Sequence, residues 1–355
     1  MSLRKLARNF ALLAWVPFVL TTCGGAAFDD PSRIKGLRVL AVQKSSPYPK
    51  PGEQVKLKLL FWDGKSSEDS PRDIFVLISP IPCENPKGDL YFNCLTDLGG
   101  MPDGGAPDVP DGGLPRLEPS RFIRAEAAPR FQDINNIREA TVGISPTIVQ
   151  DRAPGVTPYG LAYVLFMACA GTPKQVPNAG PNTLPIGCFD ADDRQLGADD
   201  FVIGYTSMYV YNERVNNNPV IDDLVFGDVP LAGSTTDPAR VHHVPSCKES
   251  DRANCPKYVL TPSINRELTV EKDDDPTART PDGQQLEEQA WINYYITAGE
   301  LKSSVRLVND ATRGWNDQHA AEYTAPAEPG PVRLFAIVHD NRGGVAWAEG
   351  KIFVD

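Results

Sequence analysis

The sequence predicts an all-β protein of two antiparallel β-sandwiches in series behind an export signal. Three observations predict it. Apolar residues recur with period two in several runs; turn formers are dense, with 33 Pro and 29 Gly in 355 residues; and no segment keeps helical periodicity for three turns. Period two places alternate side chains on opposite faces of a strand. Proline removes a backbone donor and breaks helix interiors, so this composition excludes long helices.

The chain opens on a basic stretch, Arg4, Lys5 and Arg8, followed by the apolar run Ala11 to Leu20. A run of about ten residues is too short to cross a bilayer core of roughly 30 Å as a helix, and reads as a signal peptide. It closes on Leu20-Thr21-Thr22-Cys23, with Thr22 where Gly or Ala is usual. This tetrad resembles the lipobox of bacterial lipoproteins. The resemblance implies that the Cys23 thiol receives diacylglycerol and palmitate-class acyl chains after loss of residues 1–22. Gly24 rather than Asp after the cysteine implies transfer to the outer membrane of the cell envelope. Residues 23–35 are then a lipidated tether.

The first sandwich is expected over residues 36–215. Gly36 to Val42 reads as its first strand, Pro51-Gly52-Glu53 as a turn, and Val55, Leu57, Leu59 and Phe61 as a strand with one face in a core and the other in water. Ile74 to Ile78, Leu161 to Met167 and Phe201 to Tyr211 are further strands. Between them, residues 96–155 read as a Pro/Gly-rich insertion too poor in apolar side chains to offset its ordering entropy. A polar stretch, Asn212 to Asn218, marks the boundary to the second sandwich, residues 216–355. Its strands are expected at Trp291 to Thr297, Val332 to His339 and Val345 to Val354. The last two form a hairpin through Asn341-Arg342-Gly343-Gly344, whose Gly pair supplies positive φ.

These segments carry a second resemblance. A first strand, a Pro-Gly-Glu turn and an alternating strand resemble the opening of bacterial immunoglobulin-like modules, and Asn218 to Leu224 resembles another such opening. The closing hairpin resembles the last strands of an immunoglobulin-like or PKD-like sandwich. With the lipobox, Asn309 to Trp315 and Asp340 to Trp347, the chain resembles envelope lipoproteins of myxobacteria and their relatives. The resemblance implies two immunoglobulin-like antiparallel β-sandwich domains and an address, and brings no catalytic residues with it.

Seven Cys is an odd number for an exported chain. If Cys23 is acylated, six remain as local pairs: Cys83 with Cys94, Cys169 with Cys188, and Cys247 with Cys255. Three local disulfides are the simplest reading, although six Cys allow fifteen connectivities. They suit an oxidising compartment. Without Arg4, Lys5 and Arg8, 32 basic residues face 46 acidic ones and the net charge of −11 becomes −14. An acidic surface repels phosphate backbones, so nucleic acid is excluded as a partner.

No nucleophile elbow, zinc-protease motif, phosphate loop or dinucleotide fingerprint is present, and four His leave little for acid-base chemistry. His242 and His243, near Cys247 and Cys255, point to opposite sides of an extended segment, which argues against zinc. Asp190, Asp192 and Asp199, with Asp193 and Asp200 among them, are dense enough in oxygen to hold Ca²⁺, the alternative being a solvated acidic turn. Trp291, Tyr294, Tyr295, Trp315, Tyr323 and Trp347 read mainly as sandwich core. Trp315 stands apart in a polar turn as a recognition residue. The expectation is a lipid-anchored, non-enzymatic binding, adhesion or assembly module with an envelope protein or polysaccharide partner. The alternatives are a surface hydrolase or carbohydrate-processing accessory, and a subunit of an envelope machine that offers sheet edges for strand addition.

Overall fold

The computed structural model describes residues 30–67, 70–91, 93, 137–176, 186–273 and 278–355, and the sheets below are those of the described residues. In the first half, β1 (Leu37–Lys44), β2 (Gln54–Asp63) and β4 (Ile137–Gly143) form an antiparallel sheet in the order β1-β2-β4. Against it lie β3 (Phe75–Glu84), β5 (Gly160–Cys169) and β8 (Phe201–Val210), in the order β3-β5-β8, with the hairpin of β6 (Thr172–Gln175) and β7 (Ile186–Phe189) inserted before β8. Followed along the chain, this is the A-B-E and C-F-G layering of an immunoglobulin-like sandwich. Its core stacks Val55, Leu57, Val142, Val164, Met208 and Val210 at one end and Leu37, Leu59, Phe61, Val76 and Ala168 at the other.

The second half contributes β9 (Ile221–Phe226), β10 (Val229–Pro230), β11 (His242–Val244), β12 (Tyr258–Ile264), β13 (Ala290–Ile296), β14 (Glu300–Leu301), β15 (Val305–Asp310), β16 (Gly314–Trp315), β17 (Ala321–Thr324), β18 (Gly330–Asp340) and β19 (Val345–Val354). One sheet has the order β10-β9-β12-β17-β14 and the other β11-β19-β18-β13-β15-β16. The pairs are antiparallel except β11, which runs parallel to β19. Tyr294, Tyr323, Phe226 and the even-numbered apolar residues of β18, Val332 to Val338, fill the space between them.

The two sandwiches share a third core. The odd-numbered side chains Phe335 and Ile337 of β18 point away from their own sandwich and meet Leu40, Ala41 and Leu60 of the first. Trp62 packs on Phe335 at 5.5 Å between ring centroids, and the Arg333 guanidinium covers Trp62. Both β18 and the second half of β2 are therefore buried on both faces, which explains their continuous apolar runs. Beyond Leu59, β2 departs from the expected core-and-water alternation, because Leu60 is as buried as Leu59. Ser32–Asp355 forms one compact unit.

Two boundaries also differ from the sequence reading. Residues 32–34, assigned to the tether, pair with β13 through Ile34 N to Ile296 O and Ile296 N to Ser32 O, and Ile34 is buried in the shared core. Ile137–Gly143, placed inside the insertion, is β4, held to β2 over its whole length. Its polar pattern concealed it, since only Val142 is buried.

Candidate functional site

A cleft of about 650 Å³ opens where the edge of the first sandwich meets the β18–β19 hairpin of the second. Its first wall is β1, bulged between Val39 and Ala41, and the following turn to Tyr48. Its second is β8, with Tyr205, Thr206, Ser207 and Tyr209, and its third comprises Trp291 and residues 339–345. The β1 and β8 edges are tied at both ends, by Leu37 N to Asp199 O at 2.7 Å and Tyr211 N to Pro49 O at 3.3 Å.

The hairpin that forms the third wall is rigid for local reasons. The Asp340 carboxylate, buried, accepts from Arg342 N at 2.7 Å, Gly344 N at 2.8 Å and Asn216 Nδ2 at 3.2 Å. Gly343 has φ +90°, as the turn requires, but Gly344 does not have positive φ; a Cβ there would fall 2.0 Å from Asp340 Oδ2. Asn218 bridges the two sandwiches, donating to Lys44 O and accepting from Val345 N. Gln43 adds a bond to Val345 O at 2.7 Å.

Lys44 is the unusual group. It is only 4% exposed, lines the cleft, and donates to Gly343 O at 3.0 Å, one acceptor for an ammonium with three protons. Burial lowers its pKa to about 8, against an opposing pull from Asp340. His339, stacked on Trp291 at 5.3 Å, is lowered to about 4 by burial and by Lys44. Arg342 ion-pairs with Asp273 at 3.3 Å and lies 3.3 Å from the Glu288 carboxyl, which burial raises to about 8 and so keeps largely protonated near neutrality.

Tyrosines continue from the cleft over the outer face of β5 and β8. Tyr91 stacks on Tyr205 at 3.9 Å, Tyr163 meets Tyr205 edge-on, and Tyr159 lies beside Tyr209 and Tyr211 under the Arg152 guanidinium. With Tyr48, seven of the eleven Tyr gather here, and Tyr91, Tyr205 and Tyr209 remain exposed. Such rings present flat apolar area with a polar tip. Period-two spacing of Tyr205, Tyr209 and Tyr211 was the available signal, but the sequence reading took them only as strand residues.

The sequence-derived sites lie elsewhere. Asp190 and Asp192 share the Arg194 guanidinium, and Asp190 also caps the turn by accepting from Asp192 N and Arg194 N. These bonds, led by the Arg194 backbone, hold the Asp190 carboxyl below its usual range. Asp199 is exposed and joins β1 through its carbonyl, so it stands apart from that pair. Among the described residues no three His, Cys, Asp or Glu side chains are grouped as around a metal ion. The neighbour Asp200 instead joins Lys65, Arg72 and Asp63 in an ion-pair network. Trp315 is half-buried against the second core, its indole donating to Asp317 Oδ1. Trp291 alone of the C-terminal aromatics faces the cleft; Tyr294 and Tyr323 are core, and Tyr295 and Trp347 pack at the shared interface.

Cys169–Cys188 and Cys247–Cys255 are disulfides with Cα separations of 5.6 and 5.7 Å. Cys83 is disulfide-bonded, while Cys94 lies outside the described residues, as does Cys23. His243 bonds Asp355 rather than a cysteine-held ion.

No family model and no curated protein matches the chain. Among solved structures, it is similar to native E. coli alpha-2-macroglobulin at TM-score 0.21 and 12% identity, covering 92% of this chain and 17% of that one. The tandem Ig repeats of Dlar give TM-score 0.20 and 8% identity, covering 90% of this chain and 98% of that one. Three N-terminal domains of the bacteriophage RB49 outer capsid protein Hoc give TM-score 0.20 and 9% identity, covering 90% and 99%. The layering and strand order define the chain as an all-β protein of immunoglobulin-like sandwiches.

Proposed function

We propose that the protein is a lipid-anchored envelope component that acts as a non-catalytic binding, adhesion or assembly module, with the cleft between β1, β8 and the closing hairpin as its binding site. The observation that carries this reading is an open, aromatic-walled cleft whose ionisable groups are largely tied to the hairpin. Asp340 accepts two backbone N–H groups at Oδ1 and the Asn216 amide at Oδ2, His339 is stacked and held neutral, and Arg342 is ion-paired. Apolar and aromatic walls with a few fixed polar groups suit recognition. Two disulfides favour an oxidising compartment outside the cytoplasm. Attachment through an acylated Cys23 is the proposed route to the membrane, on the likeness of Leu20 to Cys23 to a lipobox.

The test is crosslinking of producing cells, detergent extraction of the full chain, and mass spectrometry of the N-terminal peptide together with the captured partners. Expected are an acylated Cys23 and partners that disappear in a Tyr205→Ala/Tyr209→Ala variant of unchanged melting temperature. An unacylated N-terminus would overturn the anchor, and capture indifferent to the cleft variant would overturn the site.

A further inference from the structure

We propose that the cleft takes an extended peptide segment bearing an acidic side chain, added as a further strand to the open edge of β8. The inference rests on the cleft being the binding site and names its occupant.

Hydrogen-bond phase carries it. Ala170 N donates to Asp200 O at 2.9 Å, and Cys169 lies opposite Phe201 in the β5–β8 ladder. Even-numbered residues of β8 therefore exchange bonds with β5, and odd-numbered ones turn N–H and C=O to the opposite edge. Asp199 O and Tyr211 N fit this phase, since both bond outward to the β1 side. Between them, Tyr205, Ser207 and Tyr209 line the cleft and have no backbone partner on that side among the described residues. Three residues offer up to six bonds to an incoming strand.

Edges of this kind are ordinarily protected by Pro, charge, a bulge or shortness. β8 is ten residues long with no Pro and no charged residue, and its pairing to β5 runs from Gly160 to Cys169 without a shift. The walls at β1 and the hairpin enclose about 650 Å³ beside this edge, a volume suited to a short extended segment. Lys44 supplies charge complementarity. Its ammonium is buried in the wall with one carbonyl as acceptor among the described residues, so two protons are available to a carboxylate, while the nearby Asp340 is engaged by Arg342 N, Gly344 N and Asn216 Nδ2. Tyr209 and Trp291 offer apolar surface to alternate side chains.

The experiment uses the detergent-extracted full chain to pan a phage-displayed linear dodecapeptide library, followed by resynthesis of the enriched sequence. Expected are enriched peptides containing Asp or Glu, and slowed amide exchange across Phe201–Val210 on binding. N-methylation of alternate peptide residues in one phase should weaken binding at least about tenfold, and in the other phase by less than about twofold. Ser207→Pro removes only an outward N–H, which an edge strand tolerates, and should give a similar loss. Lys44→Met should abolish the preference for acidic peptides. Binding insensitive to both N-methylation phases overturns strand addition, whether or not Ser207→Pro folds. Glycan-array binding in the cleft without peptide enrichment overturns this inference and leaves the binding-module reading intact. A dimer broken by Ser207→Pro would make a second copy the occupant and equally overturn it. No peptide, no glycan and capture unchanged by the cleft variant would remove both.

Discussion

Replacing Lys44 with Met is expected to stabilise the folded chain at neutral pH, although it deletes a hydrogen bond. Lys44 is 4% exposed, and burial lowers its pKa from 10.5 to about 8. That fall corresponds to about 3 kcal/mol favouring the neutral amine. Because the folded pKa lies below the unfolded one, the penalty is fully present below pH 8, shrinks between about 8 and 10.5, and vanishes above. Loss of the bond to Gly343 O offsets about 1 kcal/mol. The net gain for Lys44→Met is therefore about 2 kcal/mol at pH 7, and a small loss is expected at pH 10.5. Urea unfolding at both pH values, followed by Trp fluorescence, reads this as a shift in midpoint at constant slope. A variant less stable than the parent at pH 7, or a gain that persists unchanged at pH 10.5, would refute the reasoning.

Phe335→Ala should destabilise by about 3–5 kcal/mol and lower one shared unfolding transition, since Phe335 joins both sandwiches; a loss confined to one of two resolved calorimetric peaks would contradict the shared core. His339 has a folded pKa of about 4, below its unfolded value of 6.5, so its contribution is complete above pH 6.5 and is lost as pH falls through 4. His339→Gln should flatten that part of the stability profile, read with Trp291 fluorescence. Asp63→Asn should cost about 3 kcal/mol near neutrality, because hydrogen bonds from Arg72 and Ser66 outweigh burial and hold Asp63 below its usual range. Equal melting temperatures at pH 7 would remove that assignment. Joint replacement of Cys169 and Cys188 by Ser should cost about 3 kcal/mol for a separation of 19 residues, measured by urea unfolding of parent and variant without reductant.

The all-β class was legible because period two is written into side chains wherever one sheet face is buried and the other wet. The strands at Val55, Leu161, Phe201, Trp291, Val332 and Val345 stand where the alternation put them. β4 was not legible, since a strand over the sandwich margin needs few apolar residues, and Arg138, Glu139 and Thr141 resemble a loop. The shared core was half-legible. Phe335 and Ile337 break the alternation of β18, but a run apolar on both faces does not say what covers its second face. The cleft was not legible at all, because Lys44, Tyr205 and Trp291 meet only through tertiary packing across more than two hundred residues of sequence.

The acidic turn and the cleft differ in a way that residue type alone could not reveal. Asp190 and Asp192 looked like chemistry because oxygen ligands cluster in sequence there, yet Arg194, four and two residues away, engages both. Lys44, two residues beyond the predicted first strand, carried no such signal, yet it is an ammonium buried in a wall with a single carbonyl as acceptor among the described residues. Local sequence supplies local partners cheaply, so a charged cluster within one turn tends to neutralise itself. A charge held out of water by segments distant in sequence has no such local remedy, and its burial opposes folding until something completes it. An incoming carboxylate would do so, and the same bond would couple occupancy of the β8 edge to the packing of the two sandwiches through Gly343 and Asn218. Ligand binding should then raise the unfolding midpoint of the parent chain more than that of Lys44→Met, because only the parent has a buried charge left to satisfy.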